Sequence, residues 1–193
     1  MVTAPVSATL STRRALLRWT GALLAGGSAL LTGCGTRSPQ SRISKVSSAD
    51  RGTDAALLNR LLDLEHRAIG AYTAGIPLLS GHILTGARLF LSQELSHAGE
   101  LSGLVKQAGG KASLPHESYD FGHPHSAPGV LALLHTVESA QLAAYVELIP
   151  RLSSGRIRAT ATSILANDAQ HVSVLRAALR VAPVPSAFVT GRE

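Results

Sequence analysis

The chain has 193 residues, of which 45% are hydrophobic, 16% charged and only 4% aromatic. That balance excludes a disordered polar chain and leaves room for one domain or a small pair, with a core of Leu, Ala, Val and Ile. Lys and Arg outnumber Asp and Glu by 18 to 12, and the single cysteine excludes a disulfide framework or a cysteine-based zinc finger.

Arg13 and Arg14 precede Ala15-Leu16-Leu17, and an uncharged stretch rich in Leu, Ala and Gly runs from Trp19 to Gly33. A basic start and a short apolar run read as an export signal, too short and too rich in Gly for a good spanning helix. Thr12-Arg13-Arg14-Ala15-Leu16-Leu17 resembles a twin-arginine signal, which points to a bacterial source. Leu31-Thr32-Gly33-Cys34 resembles a bacterial lipobox, with Cys34 as the lipidated first residue. Residues 1–33 are therefore expected to be a signal peptide. The remainder is expected on the extracytoplasmic face of a bacterial membrane, anchored through lipid on Cys34. Residues 34–193 keep 15 basic and 12 acidic residues, a net charge of only +3, so nucleic acid is not expected as a partner. Residues 34–52 are polar and read as a flexible tether, whose Arg37, Arg42 and Lys45 could touch anionic head groups.

From residue 53 to 181 the apolar period is helical. A first helix is predicted over about 54–80, with Asp54 or Thr53 as N-cap, and a second over about 83–108, stopped by Gly109-Gly110. A loop follows over 110–126. Ser126 and Pro128 open a third helix ending near Leu152, and a fourth runs from about Arg156 to Arg180. Residues 182–193, with Pro183, Pro185 and Phe188, read as an irregular tail. Four such rods with short, long and short connections predict an all-α four-helix bundle.

The two halves repeat. Glu65, Tyr72, Ile76-Pro77 and Leu79-Ser80 have the same mutual offsets as Glu138, Tyr145, Ile149-Pro150 and Leu152-Ser153. Likewise Glu94, His97 and Leu101 match Asp168, His171 and Leu175. The bundle is expected to be a duplicated helical hairpin.

Residues at ±3, ±4 and ±7 share a helix face. By that rule Glu65, Glu94, Glu138 and Asp168, one per helix, lie in the apolar stripes that must face the core. Isolated buried carboxylates cost several kcal/mol each or change protonation state, and four together repel one another. No Lys or Arg lies on these stripes near the acids, which leaves protons or metal cations to balance them. His97 and His171, each three residues after an acid, add neutral nitrogen donors on the same faces.

A Glu from each of two helices with Glu-x-x-His from each of the other two is the ligand set of di-iron and di-manganese bundles. With Glu65, Glu94-Leu95-Ser96-His97, Glu138 and Asp168-Ala169-Gln170-His171, the chain resembles the ferritin-like domain family, in particular its exported bacterial members. The resemblance implies a ferritin-like four-helix bundle holding two iron or manganese ions, with redox chemistry on dioxygen or peroxide, ferroxidase- or catalase-like. It implies ligand roles for Glu65, Glu94, His97, Glu138, Asp168 and His171. The chain departs from the pattern at Asp168, where the family usually has Glu; Asp is one methylene shorter, so bridging on that side is open to question and the alternatives are an asymmetric, weaker or mononuclear site. The alternative is a metal-free bundle that keeps these residues as a buried polar network and serves the cell envelope as a structural or binding module.

Tyr72 and Tyr145, two turns from Glu65 and Glu138, are candidates to hydrogen-bond the ligand carboxylates or pass electrons; core tyrosines are the plainer reading. His135, one turn before Glu138, is a candidate seventh ligand, outer partner or structural histidine. His116, Glu117, His123 and His125 read as a solvated loop cluster.

Overall fold

A computed structural model describes residues 47–193; the expected signal peptide, Cys34 and most of the expected tether lie outside the described residues. Four long helices account for the described chain: α1 (Ser48–Gly75), α2 (Gly81–Gln107), α3 (Ala127–Leu148) and α4 (Gly155–Ala178). Helix α1 starts six residues before the predicted 54. Its N-cap is Ser47, which closes a capping box with Asp50, so Thr53 and Asp54 lie inside the helix and residues 48–52 are not tether. Asp54 is instead buried and accepts hydrogen bonds from the Ser153 amide (2.8 Å) and hydroxyl (2.6 Å), which ties α1 to the junction before α4.

Both hairpins turn in the same way. Ile76–Leu78 and Ile149–Arg151 are single 3₁₀ turns that carry Pro77 and Pro150 at their starts. Proline lacks the amide that would continue the α-helix, so each hairpin stops at the same offset from its glutamate. Ser126 and Ser154 then cap α3 and α4 with their side chains. Residues 182–193 form no helix or strand, as expected.

Helix α1 packs against both α2 and α3, whereas α2 and α4 touch each other little. The segment 108–126 returns along α1. Asn59 holds its start by bonding the Lys111 carbonyl and the Ser113 amide (both 2.9 Å), and Tyr119 lies over Gly70, where a Cβ would stand 2.9 Å from its ring. Helix α3, with its 3₁₀ turn, is long and apolar enough to span a bilayer by length and composition. Its buried face nevertheless carries Glu138, Gln141 and Tyr145, so its apolarity is that of a central bundle helix.

The core is two apolar clusters separated by a polar layer. One joins Leu57–Leu62 of α1 to Leu101–Val105, Leu148, Leu152 and Ile164; the other joins Ala68–Tyr72 to Phe90, Val130–Leu134 and Leu175. The close approach of α1 to α3 in the second cluster depends on Gly75, whose added Cβ would meet Val130 Cγ1 at 2.5 Å. Gly75→Ala is therefore expected to lower stability by about 1–3 kcal/mol through overpacking, read by urea denaturation. Unchanged stability would mean that α1 and α3 can separate freely at this level.

Candidate metal centre

The polar layer between the two clusters contains all six residues expected as ligands. Glu65, Glu94, Glu138 and Asp168 are fully buried, His171 is 1% exposed, and the His97 side chain is 12% exposed. Each comes from a different turn of regular helix, so the backbone that fixes it is rigid. The potential ligand atoms form two groups, each within 4.8 Å: Glu94, Glu138, Asp168 and His171 in one, and Glu65, His97 and Asp168 in the other. Asp168 belongs to both.

His171 Nδ1 stands 3.1 Å from Glu94 Oε1 and 3.2 Å from Glu138 Oε1. His97 Nδ1 stands 3.3 Å from Asp168 Oδ1, 3.6 Å from Glu65 Oε2 and 3.7 Å from Glu94 Oε1. The tyrosines cross between hairpins. Tyr72 of α1 donates to Glu138 of α3 (2.6 Å), and Tyr145 of α3 donates to Glu65 of α1. Reciprocal pairs of this kind require α1 and α3 to run antiparallel with the layer at their common midpoint.

His135 is not brought to this layer. It is half-buried, lies near Arg176 of α4, and its buried Nε2 has no hydrogen-bond partner. At one turn before Glu138 it sits on the side of α3 that meets the far end of α4. Two neutral amides that sequence reasoning missed complete the layer. Gln141, fully buried, donates from Nε2 to Glu65 Oε2 (3.1 Å) and Glu94 Oε2 (3.0 Å). Gln93 Oε1 lies 2.7 Å from His171 Nε2, which directs Nδ1 toward the carboxylates. Asn167, which precedes Asp168 as Gln93 precedes Glu94, makes the corresponding hydrogen bond to His97. A polar residue just before Glu94 and just before Asp168 was the available signal for this pair; Leu64 and Val137 precede the other two acids.

Electrostatics set the acids against one another. Burial, with Glu94 and Glu138 nearby, pushes Asp168 up to about 9. Burial pushes Glu138 up to about 7 and, with Glu94 and Asp168, holds Glu65 well above the carboxylate range. Burial acts on Glu94 too, but the neighbouring His171, Glu65 and Gln141 outweigh it and hold this carboxyl below its ordinary value. His171 shows the converse: burial disfavours its charge, yet Glu138 and Glu94 raise it to about 9. Burial lowers His97 and raises both tyrosines. Without a cation, burial and mutual repulsion favour the protonated forms of Glu65, Glu138 and Asp168.

The donor set fits a metal. Glu94 Oε1, Glu138 Oε2, both Asp168 oxygens and His97 Nδ1 are buried without hydrogen-bond partners, and unpaired buried polar atoms are rare unless an ion or water serves them. Carboxylate oxygens with imidazole nitrogens are the ligands of iron and manganese rather than of soft thiolate-bound metals.

One acid per helix, with a histidine three residues after two of them, defines this protein as a carboxylate–histidine four-helix bundle. The family model described as ferritin-like domain matches residues 53–181, and the chain belongs to that family. Among solved structures it is similar to a conserved hypothetical protein from Mycobacterium tuberculosis (TM-score 0.64, 20% identity, covering 74% of this chain and 99% of that one). It is also similar to ferritin-like, diiron-carboxylate proteins from Bacillus anthracis str. Ames (TM-score 0.58, 19% identity, covering 69% of this chain and 99% of that one). At these identities the likeness shows the fold alone. The search of curated proteins finds no match.

Proposed function

We propose that this ferritin-like protein binds a dinuclear iron or manganese centre between its four helices and serves oxygen- or peroxide-linked redox chemistry. The observation that carries the reading is the pair of buried ligand groups sharing Asp168, with five of their donor atoms unpartnered. Glu138, Glu94, Asp168 and His171 would hold one ion, and Glu65, His97 and Asp168, with Glu94 beside them, the other. Bound there, the ions would supply one-electron steps and Lewis acidity. The chain's own part is to fix the ligands on rigid helices, to orient Glu65 and Glu138 through Tyr145 and Tyr72, and to exclude bulk water with the apolar clusters on either side. Ligation would displace the protons now favoured on Asp168 and His171, so loading releases protons. The similar structure from Bacillus anthracis, one of the ferritin-like, diiron-carboxylate proteins, supports the reading.

We further propose that the domain acts outside the cytoplasmic membrane. Arg13-Arg14 and Leu31-Thr32-Gly33-Cys34 support export and a lipid anchor on Cys34. A metal-free envelope module is the second reading. It is favoured by the hydrogen bonds from Gln141, Tyr72 and Tyr145, which already satisfy part of the layer without a cation.

Elemental analysis of the purified chain with Cys34→Ser decides between the two. Bound iron or manganese up to about two equivalents, lost in a Glu138→Ala/His171→Ala variant of unchanged helicity, is the expected result. Metal-free protein after growth and reconstitution with either metal would overturn the metal reading.

A further inference from the structure

The two halves of the layer are not equivalent: Asp168 stands where the repeat has Glu94, and one residue outside the ligand set differs as well. In α3, three residues after Glu138, stands Gln141; the repeat places Ala68 at the same offset after Glu65 in α1. Both are fully buried. The amide nitrogen of Gln141 bridges Glu65 Oε2 and Glu94 Oε2 at 3.1 and 3.0 Å, and the other Glu65 oxygen accepts from Tyr145. Both Glu65 oxygens are therefore engaged. Glu138 differs: Oε1 accepts from Tyr72, while Oε2 has no partner.

The point between two carboxylates is where a cation bridging them is most stabilised. Between Glu94 and Glu138 that position is held by His171 Nδ1, which is itself a metal ligand once deprotonated. Between Glu65 and Glu94 it is held by an amide NH₂, which donates hydrogen bonds and has no lone pair to offer a metal, while the Oε1 of the same amide is buried without a hydrogen-bond partner. A cation entering the Glu65–His97 half competes with these donated hydrogen bonds for Glu65 Oε2 and Glu94 Oε2. The other half gathers four ligand residues and has no such competitor.

Resting on the metal reading above, we infer that Gln141 sets unequal loading of the two half-sites: its hydrogen bonds compete with a cation in the Glu65–His97 half, so the Glu138–His171 half fills first and more tightly. Gln141 acts through Glu65 and Glu94 and is a positioning residue. The protein thereby keeps one resident ion and one exchangeable position, which is the arrangement suited to an ion that is bound and released.

Titration of the metal-free full chain with Mn²⁺, followed by electron paramagnetic resonance of free and bound manganese, tests this. The wild type is expected to take one equivalent tightly and a second at least about tenfold more weakly, the scale on which outer hydrogen-bond partners move metal affinity. Gln141→Ala, which restores the residue type found at Ala68, is expected to tighten the second equivalent by about tenfold and to move the first, which shares Glu94, by much less. Gln141→Met keeps the volume without the donors and should do the same, which covers a cavity-induced loss of fold in the alanine variant. Two equally tight equivalents in the wild type, or a second equivalent unmoved in either folded variant, would overturn the inference and leave the metal reading standing. No manganese bound by any of the three, nor iron in the parallel anaerobic titration, would overturn the metal reading and the inference with it.

Discussion

Asp168→Asn is expected to strip the protein of metal and, at the same time, to make the metal-free protein more stable at neutral pH. The first effect follows from position: Asp168 is the one residue present in both ligand groups. The second follows from burial. Its carboxyl is fully buried, both oxygens lack hydrogen-bond partners, and its pKa is pushed from the ordinary 3.8 to about 9. At pH 7 the unfolded chain ionises this acid while the folded chain keeps it protonated, a difference on the order of 4 kcal/mol against folding. Asparagine has nearly the volume of the protonated acid and no such difference. Metal content and urea denaturation of the metal-free protein measure the two effects separately. Retention of metal by the variant would remove Asp168 from the centre, and a lower metal-free stability would mean that the ionised acid is compensated in a way the geometry does not provide.

Metal-free protein is also expected to lose stability as pH rises from about 5 to about 8, by several kcal/mol in total, whereas metal-loaded protein should be nearly flat over that range. For Asp168, at about 9, and Glu138, at about 7, the folded chain holds a proton that the unfolded chain releases near 4, so each unit of pH above that favours unfolding until the folded value is passed. Glu65 acts in the same direction. His171 adds to it: its gain from Glu138 and Glu94 is complete below the ordinary 6.5 and is lost as pH rises through about 9. His97, His66 and His135, whose values burial lowers, oppose, because the unfolded chain binds protons near 6.5 that the folded chain does not; Glu94, also lowered, is ionised in both states above about 5. Melting temperatures with and without Mn²⁺ across the range check the sign, and a metal-free profile that rises with pH would refute it.

Much of this arrangement was legible before any coordinates, for physical reasons. Helical period and the matched offsets of the two halves imposed the hairpins, because Pro77 and Pro150 must end their helices wherever they occur. The four acids were visible because a charge inside an apolar stripe has few inexpensive explanations. The start of α1 was misplaced because residues 48–53 are polar and carry no apolar period, although Ser47-x-x-Asp50 is a readable capping box. Gln141 escaped notice because an uncharged amide in a stripe raises no alarm; only its mismatch with Ala68 across the repeat would have singled it out. The crossed tyrosine pairs and the exclusion of His135 depend on register and rotation between helices, which no single helix encodes.

The crossing of those tyrosines bears on how such a chain could have arisen. Each half supplies a hydroxyl whose acceptor belongs to the other half, so a lone hairpin would carry a tyrosine without its glutamate and a glutamate without its tyrosine. Two copies of one ancestral hairpin, paired back to back, would satisfy both bonds at once. An assembly of separate short chains could therefore have possessed the whole layer before duplication joined them. Within the layer the two halves now differ at Gln141, where the repeat has Ala68, and at Asp168, where it has Glu94.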